Sequence, residues 1–360
     1  MSITMSETFS MNKVKIQGYK SIKDIELELM PVNVLIGANG AGKSNFVSFF
    51  EFLHQLYCQN LQHHIAMKGG EEKILFGGTK ESQNLSARID FGYNAYSFRL
   101  TLGDESLLFA EEDLWYQEDV WHKANYRKEA IVSYEQNGRG AYINQYLNRF
   151  IKYHFHDTGR KSPFTNLSHI ENDAYYLYAD GSNLAAYLFA IQKNEGIIYR
   201  RIIKTIQSIA PYFSDFFFQP NANGYLRLQW KNKYSTTVYG VNDLSDGTLR
   251  FIALCVLFLQ PQLPSCIIID EPELGLHPTA IGKLAALVGS VIGKNTQVIM
   301  ATQSVELVNH FEAKDVITVD QYQGASQFKR LDEEELAQWL TEYSVGDLWQ
   351  RSIIQGGQPK

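Results

Sequence analysis

Apolar and polar residues alternate with period two over Lys13–Tyr19 and again over Ile22–Leu29, which predicts two strands. Val32–Ile36 is a short unbroken apolar run between Pro31 and Gly37 and reads as a buried strand. From Ser44 to Tyr57 the period changes: Phe46, Phe49, Phe50, Leu53 and Leu56 share one helical face. Period two returns from Leu85 to Tyr116, in segments such as ARIDFGY and YSFRLTL, and predicts an antiparallel meander. Residues 117–180 are polar and Tyr-rich and carry no clear period. Helices are expected over Asn183–Gln192 and Ile197–Ile209, and a hairpin over Leu226–Tyr239 around Lys231–Lys233. After Gly247 the pattern becomes helix 249–259, strand 266–270, helix 278–292, strand 297–301, helix 304–311 and strand 315–319. Such alternation predicts a mostly parallel sheet covered by helices. The chain therefore divides into an N-terminal α/β part (11–80), an inserted β and helical lobe (81–240) and a C-terminal α/β part (241–355).

Composition narrows the classes. The chain has 360 residues, 45% hydrophobic and 20% charged, which suits a folded protein with a substantial core. Its net charge of −6 argues against nucleic-acid binding by a general basic coat but leaves room for a local basic patch. The cysteines Cys58, Cys255 and Cys266 form no C-x-x-C pair, so a reducing, cytoplasmic setting is expected. No signal peptide is visible, and the longest strongly apolar run, Phe251–Leu259, is far short of the roughly 20 residues that cross a bilayer.

Chemistry concentrates at the two ends. Gly37-Ala38-Asn39-Gly40-Ala41-Gly42-Lys43-Ser44 fits the phosphate-loop pattern G-x-x-x-x-G-K-[ST], with Asn45 next in the helix. Its setting, buried strand before and amphipathic helix after, is the one this chemistry requires. Glycines let the backbone wrap phosphates, the helix N-terminus adds positive potential, Lys43 is placed for the β- and γ-phosphates and Ser44 for Mg2+. CIIIDEP at 266–272 is an apolar strand ending in acids; Asp270 is suited to orient a water on Mg2+ and Glu271 to polarise the attacking water. Alone, such a strand end would read as solvated. Upstream, Leu244-Ser245-Asp246-Gly247-Thr248 opens the helix that leads into this strand, and Ser245 and Gly247 at a helix start form a second phosphate nest.

Together these motifs resemble the ABC-class ATPases, in particular the SMC/RecF-like branch and the compact bacterial "predicted ATPases", also grouped as AAA-family ATPases. LSDGT at 244–248 resembles the signature loop and DEPELGLHP at 270–278 the Walker B and D-loop of that branch. ATQS at 301–304 is similar to the switch segment, where Gln303 replaces the usual His; a glutamine can hydrogen-bond a phosphate but carries no charge. GYKS at 18–21 resembles the first hairpin of the family and brings Lys20 toward the phosphates. YHFHDT at 153–158 and DGSNLAAYL at 180–188 extend the likeness. The resemblance implies a P-loop ABC-type ATPase head with a mixed or parallel sheet flanked by helices, using ATP and Mg2+. It implies a homodimer on ATP binding, in which Ser245 and Gly247 of one copy close the site of the other. It further implies a Mg2+-sensing glutamine, for which Gln83 is the candidate, with Ser44 and Asp270 as the other metal-side residues.

DNA and a separate effector such as a nuclease are the partners the resemblance suggests, in repair or anti-phage defence. Two other roles compete with this one. One is a nucleotide-dependent scaffold with little turnover; the other is the ATPase subunit of a transporter, against which stand Gln303 and the 202 residues from Lys43 to Ser245. His154 and His156, at i and i+2, would face one side of a strand but have no further ligands nearby and read as structural. Lys152, Arg160, Lys161, Arg200, Arg201 and Lys204 could form a DNA-facing patch or a solvated face.

Overall fold

The computed structural model describes residues 11–356, apart from 105, 124, 125 and 149. In chain order the first elements are β1 (Lys13–Tyr19), β2 (Ile22–Glu28), β3 (Val32–Ile36), α1 (Lys43–Tyr57), α2 (Leu61–Met67) and α3 (Glu71–Ile74). There follow β4 (Asn84–Phe91), β5 (Asn94–Leu102), β6 (Leu107–Tyr116), β7 (Asp119–His122), α4 (Gly138–Leu147) and β8 (Phe150–Tyr153). The next stretch holds β9 (Ser168–His169), α5 (Leu184–Asn194), α6 (Gly196–Gln207), β10 (Phe213–Phe216), β11 (Tyr225–Leu226), β12 (Gln229–Asn232) and β13 (Val238–Gly240). The last elements are α7 (Asp246–Leu259), β14 (Cys266–Asp270), α8 (Pro278–Gly289), β15 (Gln297–Ala301), α9 (Val305–Val308), β16 (Val316–Tyr322), β17 (Ala325–Arg330), α10 (Glu333–Leu340) and α11 (Val345–Gln350).

Two compact units result. The first comprises the described residues up to Lys152, Ser265–Ile268 and those from Ile292 onward; the second comprises Tyr153–Pro264 and Ile269–Val291. In the first unit β4–β7 form the expected meander, which continues the β1–β2 hairpin in one antiparallel sheet of order β2-β1-β4-β5-β6-β7. A second sheet runs β17-β16-β3-β15-β14-β8. There β3 lies parallel to both β15 and β16, with β17 an antiparallel addition. Strands buried on both faces read as continuous apolar runs, and β3 and β15 are buried at every position.

Helix α1 fills the first unit. Its Phe46, Phe49, Phe50, Phe52 and Leu53 are fully buried. Phe49 meets Tyr19 of β1 edge-on at 5.4 Å, Phe52 meets Phe98 of β5 at 6.4 Å and Phe46 meets Phe328 of β17 at 5.4 Å. The helix that carries the phosphate loop is thus held by aromatic contacts to strands of both sheets.

In the second unit α7 is buried almost all round, from Phe251 to Leu259, and packs between α6 and α8. The hairpin falls later than its pattern suggested: Trp230 pairs with Tyr239 and the turn occupies 233–237. Trp230 sets that register, because it is buried, stacks on Tyr239 at 5.0 Å and donates from Nε1 to the Gly240 carbonyl at 3.0 Å. Helix α8 stops at Gly289, where Ser290 Oγ turns back onto the Leu287 carbonyl at 2.7 Å. Helix α9 is also shorter than expected, capped by Ser304 and ended at Val308. No helix among the described residues is long and apolar enough to cross a membrane.

Candidate nucleotide site

The two halves expected of a nucleotide site lie in different units, so each is taken separately. In the first, the loop 37–42 leaves β3 and enters α1 through Gly42, the helix N-cap, at φ +116°. No side chain caps this helix. Its first-turn amides are therefore offered to an anion, with the positive end of a 15-residue helix behind them. Gly40, at φ +82°, has open space on its Cβ side, and Asn39, Gly40 and Ser44 are exposed. Gly42 is different: a Cβ there would lie 2.0 Å from Ser326 Oγ.

That serine explains how the loop is seated. Ser326 Oγ donates to the Ala41 carbonyl at 2.6 Å, and it pairs with Ser21 Oγ at 2.7 Å. Asn45 Nδ2 donates to Ser21 Oγ at 2.7 Å. A hydroxyl has one proton, so the chain runs one way: Asn45 to Ser21 to Ser326 to the Ala41 carbonyl. Two segments distant in sequence thereby fix the loop, one from the β1–β2 turn and one from β17.

Lys43 is only 5% exposed, and its Nζ donates to the Gly37 carbonyl at 2.6 Å and the Ala38 carbonyl at 3.0 Å. The ammonium is held inside the loop's own curve, and these carbonyls occupy places that phosphate oxygens could take. Lys20 has φ +49° and donates from Nζ to Ser48 Oγ at 2.8 Å, one turn along α1 from the loop. Burial lowers its pKa to about 8, with Lys68 and Lys152 adding to the effect and Glu51 opposing it. Beyond β15, the Thr302 amide donates to the Leu35 carbonyl at 3.0 Å, which sets the segment carrying the exposed Gln303 beside the end of β3. Gln83 is exposed just before β4, where its carbonyl accepts from the Leu102 amide at 2.8 Å.

In the second unit, β14 ends in Asp270, and Glu271 follows at φ +43°, in the left-handed region that non-glycine residues rarely adopt. Asp270 Oδ1 is buried without a hydrogen-bond partner. Leaving a buried carboxylate oxygen unpaired is costly, so this atom fits a site completed by a hydrated divalent cation, whose ligands are oxygens. A small cavity here is lined by Phe155, His156, Arg250, Asp270, Glu271 and Pro272. Arg250 ties it together, donating to the carbonyls of Phe155 at 3.2 Å, His156 at 2.6 Å and Leu274 at 2.6 Å. The His156 pKa is lowered by burial and then by Arg250, against Asp270 and Glu271.

Ser245 caps α7, accepting from the Thr248 amide at 3.2 Å. A Cβ on Gly247 would come 2.3 Å from the Gly275 carbonyl, so the 245–248 turn rests directly on the turn after Glu271. The expectation of a strand through the two histidines is corrected: β8 ends at Tyr153, and the His154 amide bonds the Ala179 carbonyl at 2.9 Å instead. The i, i+2 argument for a shared face therefore lapses. No group of three or more potential metal ligands among His, Cys, Asp and Glu occurs among the described residues. Sequence reasoning missed Ser326 and Arg250 as supports; the odd HFHD motif was the one signal that pointed toward the Arg250 cavity.

Comparison with known proteins bears on the family and the fold. A family model described as "AAA domain, putative AbiEii toxin, Type IV TA system" matches residues 32–309. Among solved structures, the chain is similar to an SMC head crystallised with the C-winged helix domain of ScpA, at 15% identity and TM-score 0.60, over 91% of this chain and 99% of that one. It is also similar to an Smc head with an extended coiled coil bound to the C-terminal domain of ScpA, derived from Pyrococcus furiosus, at 15% identity and TM-score 0.58, over 92% and 98% of the two chains. A search of curated proteins gives no match. At this identity the structural likeness is one of fold, and it establishes the P-loop ATPase head fold read from the motifs.

Proposed function

From the premise that the chain belongs to this AAA-domain family, whose model covers most of its length, we propose that it is a Mg2+-dependent ATPase working as a head-to-tail homodimer. The observation that carries this reading is the uncapped N-terminus of α1 behind a glycine loop that already holds a buried Lys43. Lys43, the loop amides from Asn39 to Ser44, and Asn45 as a support of the loop bind the triphosphate. Ser44 and Asp270 hold magnesium, which when bound offsets phosphate charge. Glu271 positions the water that attacks the γ-phosphate, and Gln303 hydrogen-bonds that phosphate without adding charge. Ser245 and Gly247 of a second copy close the site with C2 symmetry. Lys20 and Gln83 are placed in the same reading as a phosphate-side and a magnesium-side residue.

Hydrolysis then opens the dimer, and the output is the difference between engaged and separated heads. We assign the engaged state to a DNA-linked role in repair or anti-phage defence, beside a separate effector such as a nuclease; what supports this is the fold shared with SMC heads. The test is ATP turnover against protein concentration, with and without duplex DNA, for the natural chain, Lys43→Ala and Glu271→Gln. Turnover should rise more than linearly with protein. Lys43→Ala should abolish nucleotide binding, and Glu271→Gln should accumulate an ATP-bound dimer on size exclusion. Linear turnover together with a monomeric Glu271→Gln would overturn the dimer, and unchanged ATP affinity in Lys43→Ala would overturn the site.

A further inference from the structure

The segment that follows β17 returns to the phosphate loop. Helix α11 is seated on the end of α9: the Gly346 amide donates to Asn309 Oδ1 at 2.8 Å, and a Cβ on Gly346 would lie 2.7 Å from the Val305 carbonyl oxygen. Leu348 is fully buried, and its carbonyl accepts from the Ile353 amide at 2.9 Å, so the chain doubles back directly after the helix. Ile354 is buried in turn, and the backbone arrives at Gly356.

Gly356 is held on both sides of its peptide. Its amide donates to the two carboxylate oxygens of Asp320, at 2.9 Å each, and its carbonyl accepts from Trp349 Nε1 at 2.6 Å. The residue is buried at φ +96°, a conformation that suits glycine. A Cβ on it would lie 3.4 Å from the Ile36 carbonyl oxygen and 3.5 Å from both Gly37 Cα and Thr318 Cβ. Thr318 and Ile36 are the last pair of the β16–β3 ladder, and Gly37 opens the phosphate loop. Gly37 is equally close to β16, since a Cβ there would come 2.2 Å from the Val319 carbonyl oxygen. Its own carbonyl is the one that takes Lys43 Nζ at 2.6 Å. Gly356 therefore packs on the residue where strand becomes loop and where the loop's lysine is anchored.

Asp320, near the end of β16, makes this contact specific. Burial pushes its pKa up, and the Gly356 amide pulls the other way. No cation pairs with it among the described residues. The carboxylate is given over to a single backbone amide, and a hydrogen bond to a charged acceptor is about twice as strong as a neutral one.

We propose that the 344–356 segment is a strap that positions the phosphate loop, with Asp320, Trp349 and Gly356 as positioning residues for nucleotide binding. They act through Gly37 rather than by contact with phosphate. The strap keeps the strand-to-loop junction, and with it the loop amides, in the arrangement that receives a triphosphate, so that less ordering is left to binding. The inference rests on the ATPase reading above for its binding assay, and the strap itself is also read without nucleotide.

The test compares the full natural chain with Asp320→Ala, Asp320→Asn, Trp349→Phe and the Asp320→Ala/Trp349→Phe pair. The first readout is amide hydrogen exchange, without nucleotide, in peptides covering the end of β3 and the loop. The Ala41 amide, which bonds the Ala38 carbonyl at 3.2 Å, reports the loop. Asp320→Ala loses a hydrogen bond to a charged group and should speed this exchange about 10-fold, and Trp349→Phe about 5-fold. The second readout is calorimetric ATP affinity with magnesium, which should weaken by the same factors while kcat at saturating ATP is unchanged. Asp320→Asn keeps an acceptor oxygen and should restore most of both. A strap released once has nothing further to lose, so the pair should be no worse than Asp320→Ala; independent effects would multiply to about 50-fold.

The proposal is overturned if a chain that binds ATP keeps its natural affinity in Asp320→Ala, whatever happens to its urea midpoint, since that is how a merely structural bond behaves. It is equally overturned if Asn fares no better than Ala, or if the effects of the pair multiply. If the natural chain binds no ATP, the ATPase reading falls, and loop exchange alone decides the strap: faster exchange in Asp320→Ala supports it, and natural exchange overturns it.

Discussion

Gly42→Ala is the change that most directly interrogates how the phosphate loop is held. The added Cβ would sit 2.0 Å from Ser326 Oγ and 2.8 Å from Ser326 Cβ, in a backbone at φ +116°. A left-handed conformation costs an alanine roughly 1–2 kcal/mol. Moving Ser326 aside breaks its bonds to Ala41 and to Ser21, at about 1 kcal/mol each. The loop's native shape is then disfavoured by about 3–4 kcal/mol, and at 1.4 kcal/mol per factor of ten ATP affinity should fall about 100- to 1,000-fold. The assay is calorimetric titration with ATP in the presence of magnesium, for a double-mutant cycle of Gly42→Ala and Ser326→Gly. Ser326→Gly alone weakens the seat by removing its two hydrogen bonds, but it also removes the two nearest clashing atoms, leaving Ser21 Oγ at 2.9 Å. In that background Gly42→Ala should cost the conformational term and a small shift of the Ser21 hydroxyl, leaving a coupling of about 2 kcal/mol. If Gly42→Ala costs the same in both backgrounds, Ser326 does not seat the loop and the reasoning fails.

Three further outcomes follow from the same geometry. Ser245→Arg should leave ATP binding by a single chain intact while turnover is lost; surviving turnover would show that 244–248 does not close a partner's site. Arg250→Ala releases three carbonyls. It should cost about 3 kcal/mol in urea unfolding, and Lys, lacking the guanidinium fork, should not restore it; a variant of natural stability would refute the clamp. Lys20 titrates near 8 when folded against 10.5 as a free side chain, so between those values the unfolded chain binds more protons and stability rises with pH. Lys20→Met should lose this rise in urea midpoints taken across the window, and an unchanged slope would remove Lys20 as its source.

What could be read from the chain was whatever depends on neighbours in sequence. The strands 13–19, 32–36, 266–270 and 297–301 stand where the apolar pattern put them, because each is a short apolar or alternating run bounded by its own turn residues. The phosphate loop was legible for the same reason: its glycines, lysine and serine are contiguous. What escaped depends on contacts across the sequence. Ser326 is an ordinary serine in an alternating strand, and nothing near it announces that Ala41 and Ser21 need its hydroxyl. The hairpin register follows from Trp230 stacking on Tyr239, a tertiary preference that local periodicity does not carry.

Glu271 joins these two kinds of information. Its position after an apolar strand was readable, yet its left-handed backbone was not, since no glycine or asparagine marks it. The turn it starts explains the conformation: its carbonyl accepts from the Leu274 amide at 3.1 Å, and the Leu274 carbonyl is in turn taken by Arg250. Gly275, at φ +75°, has no room for a Cβ, which would meet Arg250 Nη1 at 2.7 Å, and Gly247 abuts the Gly275 carbonyl. The turn bearing Glu271 is therefore held by Arg250 and abuts the helix start at Gly247, two residues from Ser245. In a dimer closed by Ser245 and Gly247, the turn that reaches a partner's nucleotide would thus lie against the turn that follows Glu271 in its own chain.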